Sequence, residues 1–542
     1  MKLKSLFCLL ILSGSLHAQY YDDYTFTRAD SLRGALRPER TCFDVTKYEL
    51  NLEFDMEGKR IKGYNDIHFK VVKNFRRLQL DLFENMSIDS IVHGGFSLDF
   101  EREGDAIFIE TRYEVAAGHN EVIRVYYHGQ PTIAKNAPWD GGFVWTKDAK
   151  GNPWASVACE GDGASLWWPN KDHLGDEPDS MRINLTVPKA LQAISNGRLH
   201  KVIKKGEQSE YRWKVSYPIN NYNVSFYIGQ FALIKDQYKD LDLSYYVLKE
   251  NKKKAKKHFM QTSKMLEAFE HYFGEYPFKN DGYKLVDAPY WGMEHQSGIA
   301  YGHDYTNNEF GFDFIIVHES GHEWWGNHVS MADHADLWIH EAFTTYSELL
   351  YVEYFMGYDR AVEYLQTIKR KIRNNKPFHG PYNVNFSDYG SADMYYKGAA
   401  MLHQFRLMLA NDDLWFSILK GLQREYAYRN ITTTELINFI NQKTGTDFSS
   451  YFAQYIDTEK LPVLEYGILE NDDKLWLHYR YRSEIKNYKG AVLYKINDGE
   501  YQWLSPSRTW QKIKLDPLTF KEITFKEDEF LVDFKKLKSI AH

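Results

Sequence analysis

Cysteine is nearly absent: three in 542 residues, at Cys8, Cys42 and Cys159. So few, so far apart, make neither a disulfide framework nor a thiolate metal site. The chain also lacks an excess of positive charge. Lys and Arg number 67 against 74 Asp and Glu, a formal net charge of -7, so nucleic acid is not an expected partner. The one basic run, Lys252 to Lys257, reads as the solvated face of a helix. There is no internal repeat and no low-complexity tract. After the first eighteen residues no stretch approaches eighteen consecutive apolar residues, so no membrane-spanning helix is expected in the mature chain.

What is present describes a soluble, multidomain protein. The length exceeds one ordinary domain and predicts two to four. Apolar residues at 43% and charged residues at 26% supply ample core and surface. The aromatic share of 16% is high and is assigned mostly to packing. Residues 1–18 read as a secretory signal: basic Lys2 and Lys4, an apolar run from Leu6 to Leu12, and Leu16-x-Ala18 before the cut. Cys8 lies inside that run, which argues against a lipoprotein anchor. Cleavage removes two lysines and no acid, taking the charge from -7 to -9. The expectation is an exported protein, periplasmic or secreted. That compartment permits a bond between Cys42 and Cys159 without implying one.

Residues 19–235 alternate with period two. Tyr48, Leu50, Leu52 and Phe54, the Glu57-Gly58 turn, then Ile61 to Phe69 predict a hairpin. Asn196-Gly197 marks another tight turn. The segment from Val157 to Ser180 crowds glycines, prolines and acids into a long loop, and long loops in compact domains are often functional. Glu160 is its carboxylate of interest; a plain solvated acid is the alternative. Residues 236–458 turn helical, with a capping box at Thr432-x-x-Glu435. From 459 to 542 the period returns to two, with a hairpin turn at Asn497-Asp498-Gly499.

The chemistry is concentrated between Phe314 and Glu348. His318, Glu319 and His322 form H-E-x-x-H, and Glu341 follows His322 after eighteen residues. Residues four apart on a helix share a face, so both imidazoles can reach one ion. A carboxylate from the next helix completes two His and one Glu. Three protein ligands leave a fourth position for water, the mark of a catalytic zinc site. Glu319 is placed to take a proton. By residue frequencies alone the motif arises in roughly one chain in twenty of this size. The plainer alternative is a core helix with two hydrogen-bonded histidines.

These residues resemble the zinc signature of the aminopeptidase N and leukotriene hydrolase family. Trp291 to His295, W-G-M-E-H, resembles its G-x-M-E-N strand. Tyr395 to Gly398 resembles its Y-x-K-G segment, and Tyr451 to Tyr466 is similar to the stretch leading into its small β domain. The resemblance implies a multidomain α+β fold: an N-terminal β-sandwich-like domain, a thermolysin-like α-rich catalytic domain and a small C-terminal β-sandwich. It implies one Zn2+ held by His318, His322 and Glu341, with Glu319 as general base and Tyr395 as oxyanion donor. Substrate contacts would come from Gly292, Met293, Glu294 on the free α-amine, and Glu160 near it. The implied partners are peptides with a free N-terminus; nothing in the sequence specifies an oligomeric state. An endopeptidase, an epoxide hydrolase of the same family, or a catalytically silent peptide-binding relative are the alternatives. Three departures stand out. Trp291 replaces glycine and is expected to reshape or narrow the first subsite. His295 and His340 stand where asparagine is usual. The chain is also expected to stop after the small β domain, without the long helical C-terminal domain of many relatives.

Overall fold

The computed structural model describes residues 25–386, 390–471 and 474–540. The signal-peptide segment, residues 1–18, lies outside the described residues.

The alternating stretch around Tyr48 forms strand Phe43–Asp55, whose inward residues are buried. It pairs antiparallel with Arg60–Val71 across the turn at Glu57-Gly58 and parallel with Ser180–Pro188. These lie in an eight-stranded sheet. A four-stranded sheet, Gly142–Lys147, Pro153–Ala158, Gln192–Ser195 and Phe226–Gly229, faces it. Phe54 of the first sheet meets Phe226 and Phe143 of the second, with ring centroids 4.8 and 6.5 Å apart. That aromatic interlock is the core of a sandwich. Asn196-Gly197 does turn the chain, but the flanking strands enter different sheets, so it is a corner rather than a hairpin. Asn196 is buried there, donating to the carbonyls of Asn223 and Gln296. Cys42 and Cys159 are both buried and free.

Next comes a five-stranded sheet in the order Phe231–Tyr238, Leu241–Leu248, Tyr283–Asp287, Ile299–Tyr301, Gly292–Met293. Gly292–Met293 is therefore an edge. Helices pack beside it. Trp338–Met356 is buried from Trp338 through Val352, too apolar all round for a surface helix, and is the central one. Helix Asp393–Leu409 crosses it at Gly398, where an added Cβ would sit 2.5 Å from the Ala342 methyl. Only glycine permits that approach. The basic run forms helix Lys252–His258 with its lysines exposed, and the chain breaks before helix Gln261–Phe273.

The last segment is two small sheets whose faces meet through Tyr466, Phe525 and Phe534, with centroids 4.8 and 5.0 Å apart. It shares one apolar cluster with the helical region. Leu531 clasps that region through its N–H to Gln404 (2.6 Å) and its carbonyl from Tyr455 (3.0 Å). Among the described residues no helix is long and apolar enough to cross a membrane.

Candidate metal and peptide site

Asp313 caps helix Phe314–Gly321 by accepting the Ile315 N–H at 3.0 Å. His318 lies in its last turn and His322 at its C-terminal cap. The central helix brings Glu341 alongside. Ligand atoms of His318, His322 and Glu341 all lie within 4.8 Å of one another. Glu341 Oε2 stands 3.5 Å from His318 Nε2 and 3.6 Å from His322 Nε2, and it has no hydrogen-bond partner. Ligands about 2.0–2.1 Å from a tetrahedral zinc are about 3.3 Å apart, so the spacing fits a shared ion.

The tautomers agree. His318 Nδ1 donates to Glu348 Oε1 at 2.7 Å, and His322 Nδ1 donates to the Trp325 carbonyl at 3.0 Å. Each proton is on the outer nitrogen, so each Nε2 turns a lone pair inward. With both rings neutral, two lone pairs and a carboxylate oxygen converge on one point. A cation is what such a cradle accepts. Glu348 is itself fixed by the Tyr364 hydroxyl. Burial would lower His318, but Glu341 and Glu348 raise it well above the ordinary imidazole range. Glu341 moves the opposite way: burial would raise it, and the two histidines hold it below the usual carboxylate value.

Glu319 is almost buried, and burial pushes its carboxyl up to about 8; His318 pulls it down while Glu294, Glu341 and Glu348 push it further up. A positive charge among these acids acts in the opposite sense. Glu319 lies directly over Gly292, where an added Cβ would be 2.5 Å from its Oε1. Glu294, two residues on, has a carboxylate oxygen within 4.8 Å of Glu319 and His322. It accepts from the Tyr222 hydroxyl at 3.0 Å. Glu160 joins this group from the long loop. Burial first, then Glu294 and Glu341, raise its carboxyl well above normal, and its Oε1 has no hydrogen-bond partner. The Tyr395 ring stacks on His318, centroids 5.9 Å apart at 21°; burial, then Glu341, raises its phenol. Met293 is buried in the sandwich-side core rather than facing the acids.

The site thus brings together all the residues singled out from the sequence except Met293, and adds Glu348, Tyr222 and Asn327, whose amide donates to the Glu294 carbonyl at 2.9 Å. Glu348 was legible in principle: it follows Glu341 by two helical turns. Tyr222 and Asn327 carry no local signal. The Trp291 ring is half exposed and packs on His303 and Phe314. His295 is fully buried with Nδ1 2.7 Å from the Tyr227 hydroxyl, and burial takes it down to about 3. His340 accepts the Met331 N–H at 2.9 Å.

Residues 258–455 match the peptidase family M1 domain. The chain is 23% identical over 477 residues to a protein named probable aminopeptidase 2 from Sulfurisphaera tokodaii, covering 83% of this chain and 58% of that one. It is 22% identical over 478 residues to leucyl aminopeptidase of Saccharolobus solfataricus, covering 83% and 58%. The chain therefore spans less than two thirds of these curated relatives. Among solved structures, an M1 zinc metallopeptidase variant from Deinococcus radiodurans, bound to a Tyr-Ser-Ala substrate, superposes with a TM-score of 0.67 at 19% identity, covering 79% of this chain and 98% of that one.

Proposed function

We propose that this chain, which belongs to peptidase family M1, is an exported zinc-dependent aminopeptidase that hydrolyses the first peptide bond of peptides with a free N-terminus. The observation that carries the reading is the pairing of two features. A three-ligand metal cradle stands next to a base, and a buried acid pair stands within reach of both. Zinc in the cradle of His318, His322 and Glu341 would polarise the scissile carbonyl and lower the pKa of water towards about 7. Glu319 takes the proton of the attacking water and passes it to the leaving amine as the C–N bond breaks. The Tyr395 hydroxyl donates to the carbonyl oxygen as it gains charge, a task worth about 3 kcal/mol for a well-placed donor.

Glu294 and Glu160 supply the measure of the chain end. The buried Glu294 carboxylate, with the Glu160 carboxyl beside it, is matched by the ammonium of a substrate's first residue. An internal bond offers no such charge and leaves a desolvated carboxylate unpaired, at a cost of several kcal/mol. That argument disfavours the endopeptidase. The presence of all ligands, the base and the tyrosine disfavours the silent relative. The division into 19–235, 236–458 and 459–542 is part of the same proposal, with the acid Glu160 coming from the first part and the metal cradle from the second. Export through residues 1–18, to periplasm or medium, is tested by sequencing the N-terminus of the mature protein. The activity is tested by hydrolysis of aminoacyl-arylamides and free-amine peptides with and without a chelator. Turnover should vanish with chelation and return with zinc, and Glu319→Gln should lose about 10²–10⁴-fold in kcat. Turnover on N-acetylated peptides equal to that on free ones would refute it.

A further inference from the structure

Gly292–Met293 is the outer strand of its sheet. The Trp291 carbonyl accepts the Gly302 N–H at 2.8 Å, which turns it inward. By the two-residue alternation of a strand, the N–H and C=O of Gly292 face away from the neighbouring strand. An extended peptide can add there as one more strand. Its direction follows from the side chains. The amine-binding acid Glu294 lies to one side, the base Glu319 lies over Gly292, and Trp291 comes next. A peptide whose first residue sits at Glu294 and whose first bond sits beneath Glu319 therefore runs on towards Trp291.

There it meets two exposed indoles. Trp291 is 51% exposed and Trp139 is 68% exposed, yet their centroids are only 5.8 Å apart at 61°. Rings this large are seldom left to water. Neither is on a slack segment. Trp291 is seated on His303 and Phe314. Trp139 lies in a loop pinned by Asp140, whose carboxylate accepts the Lys135 and Asn136 N–H groups at 2.7 Å each. The next residue, Gly141, donates to Asp162 at 2.5 Å, two residues from Glu160. The loop that presents Trp139 is thus tied to the loop that presents the second amine-binding acid.

We propose that Trp139 and Trp291 form the subsite for a large apolar side chain, above all an aromatic one, on the residue that follows the cleaved bond. One strand step is about 3.3 Å, so a bond held opposite Gly292 sets the next residue opposite Trp291. Inclined rings with open edges accept a third ring in tilted or edge-to-face contact. This inference rests on the aminopeptidase reading above.

The test compares kcat/KM on Ala-Phe-Ala, Ala-Trp-Ala and Ala-Gly-Ala, with Phe-Gly-Ala as the control for the first residue. The native protein should favour Phe or Trp over Gly at the second position by about tenfold or more. Trp139→Ala and Trp291→Gly should each erase most of that ratio, Trp139→Phe should keep most of it, and the ratio of Phe-Gly-Ala to Ala-Gly-Ala should move less than about twofold. Hydrolysis with no second-residue preference, an equal loss on all peptides, or a change confined to the first-residue ratio overturns this inference alone. Failure to cleave any free-amine peptide overturns the aminopeptidase reading and this inference with it.

Discussion

Replacing Glu294 by glutamine removes one negative charge and little else. The new amide oxygen can still accept from Tyr222, now 3.0 Å from the carboxylate, and the Asn327 contact is to the backbone. Glu294 is 2% exposed, so its charge acts on a substrate ammonium with little screening by water. Removing one partner of a buried ion pair costs about 3–5 kcal/mol. Glu160 remains close by with a second carboxyl, which places the loss at the lower end, about 3 kcal/mol. At 1.4 kcal/mol per decade this is about 10²-fold in kcat/KM on Ala-Phe-Ala. An N-acetylated peptide brings no charge to pair, so Glu294→Gln should leave its slow hydrolysis unchanged or raise it. The discrimination between free and acetylated peptide should thus fall about 10²-fold, with zinc content unchanged. Equal losses on both peptides, or undiminished discrimination, would refute the argument that a buried acid measures the chain end.

Tyr395→Phe should lower kcat by about 10²-fold while KM changes little, since the hydroxyl is used only as the carbonyl oxygen gains charge; equal effects on both would contradict that role. Glu348→Gln replaces the carboxylate on His318 Nδ1 and should weaken zinc about 10–100-fold in competition with a chromophoric chelator. A pH dependence of stability should come from His379. Burial would lower its imidazole, but Asp336 and Asp457 raise it to about 9. A raised folded value makes the contribution complete below the unfolded pKa of about 6.5 and lost as pH climbs through about 9. Its size is about 3 kcal/mol. The urea stability of the native chain should therefore fall between pH 6 and 9.5 by about that much more than the stability of His379→Gln. Parallel pH profiles would count against it.

The sequence carried the metal cradle because both of its constraints are local. Four-residue spacing puts His318 and His322 on one helix side, and a short connection returns Glu341 on the next helix. The period-two stretches carried the sandwich for the same reason: alternation is written residue by residue. What escaped was set by long-range topology. Tyr222 reaches Glu294 across 72 positions, through a turn whose own residues say nothing of acids. Trp291 occupies a glycine's place in the motif, but its packing on Trp139, His303 and Phe314 depends on chain that the motif does not record. Asn196-Gly197 carried a true turn signal, but which sheet each flanking strand would join lay elsewhere in the chain.

The account stands on His318, His322 and Glu341 sharing one zinc ion. The direct measurement is zinc stoichiometry after equilibrium dialysis, read by atomic absorption on the native chain, on His322→Ala and on Glu319→Gln. One zinc per chain in the native protein and in Glu319→Gln, with almost none in His322→Ala, is the predicted result. A native chain that binds no zinc, or a His322→Ala chain that still holds a full equivalent, would contradict it.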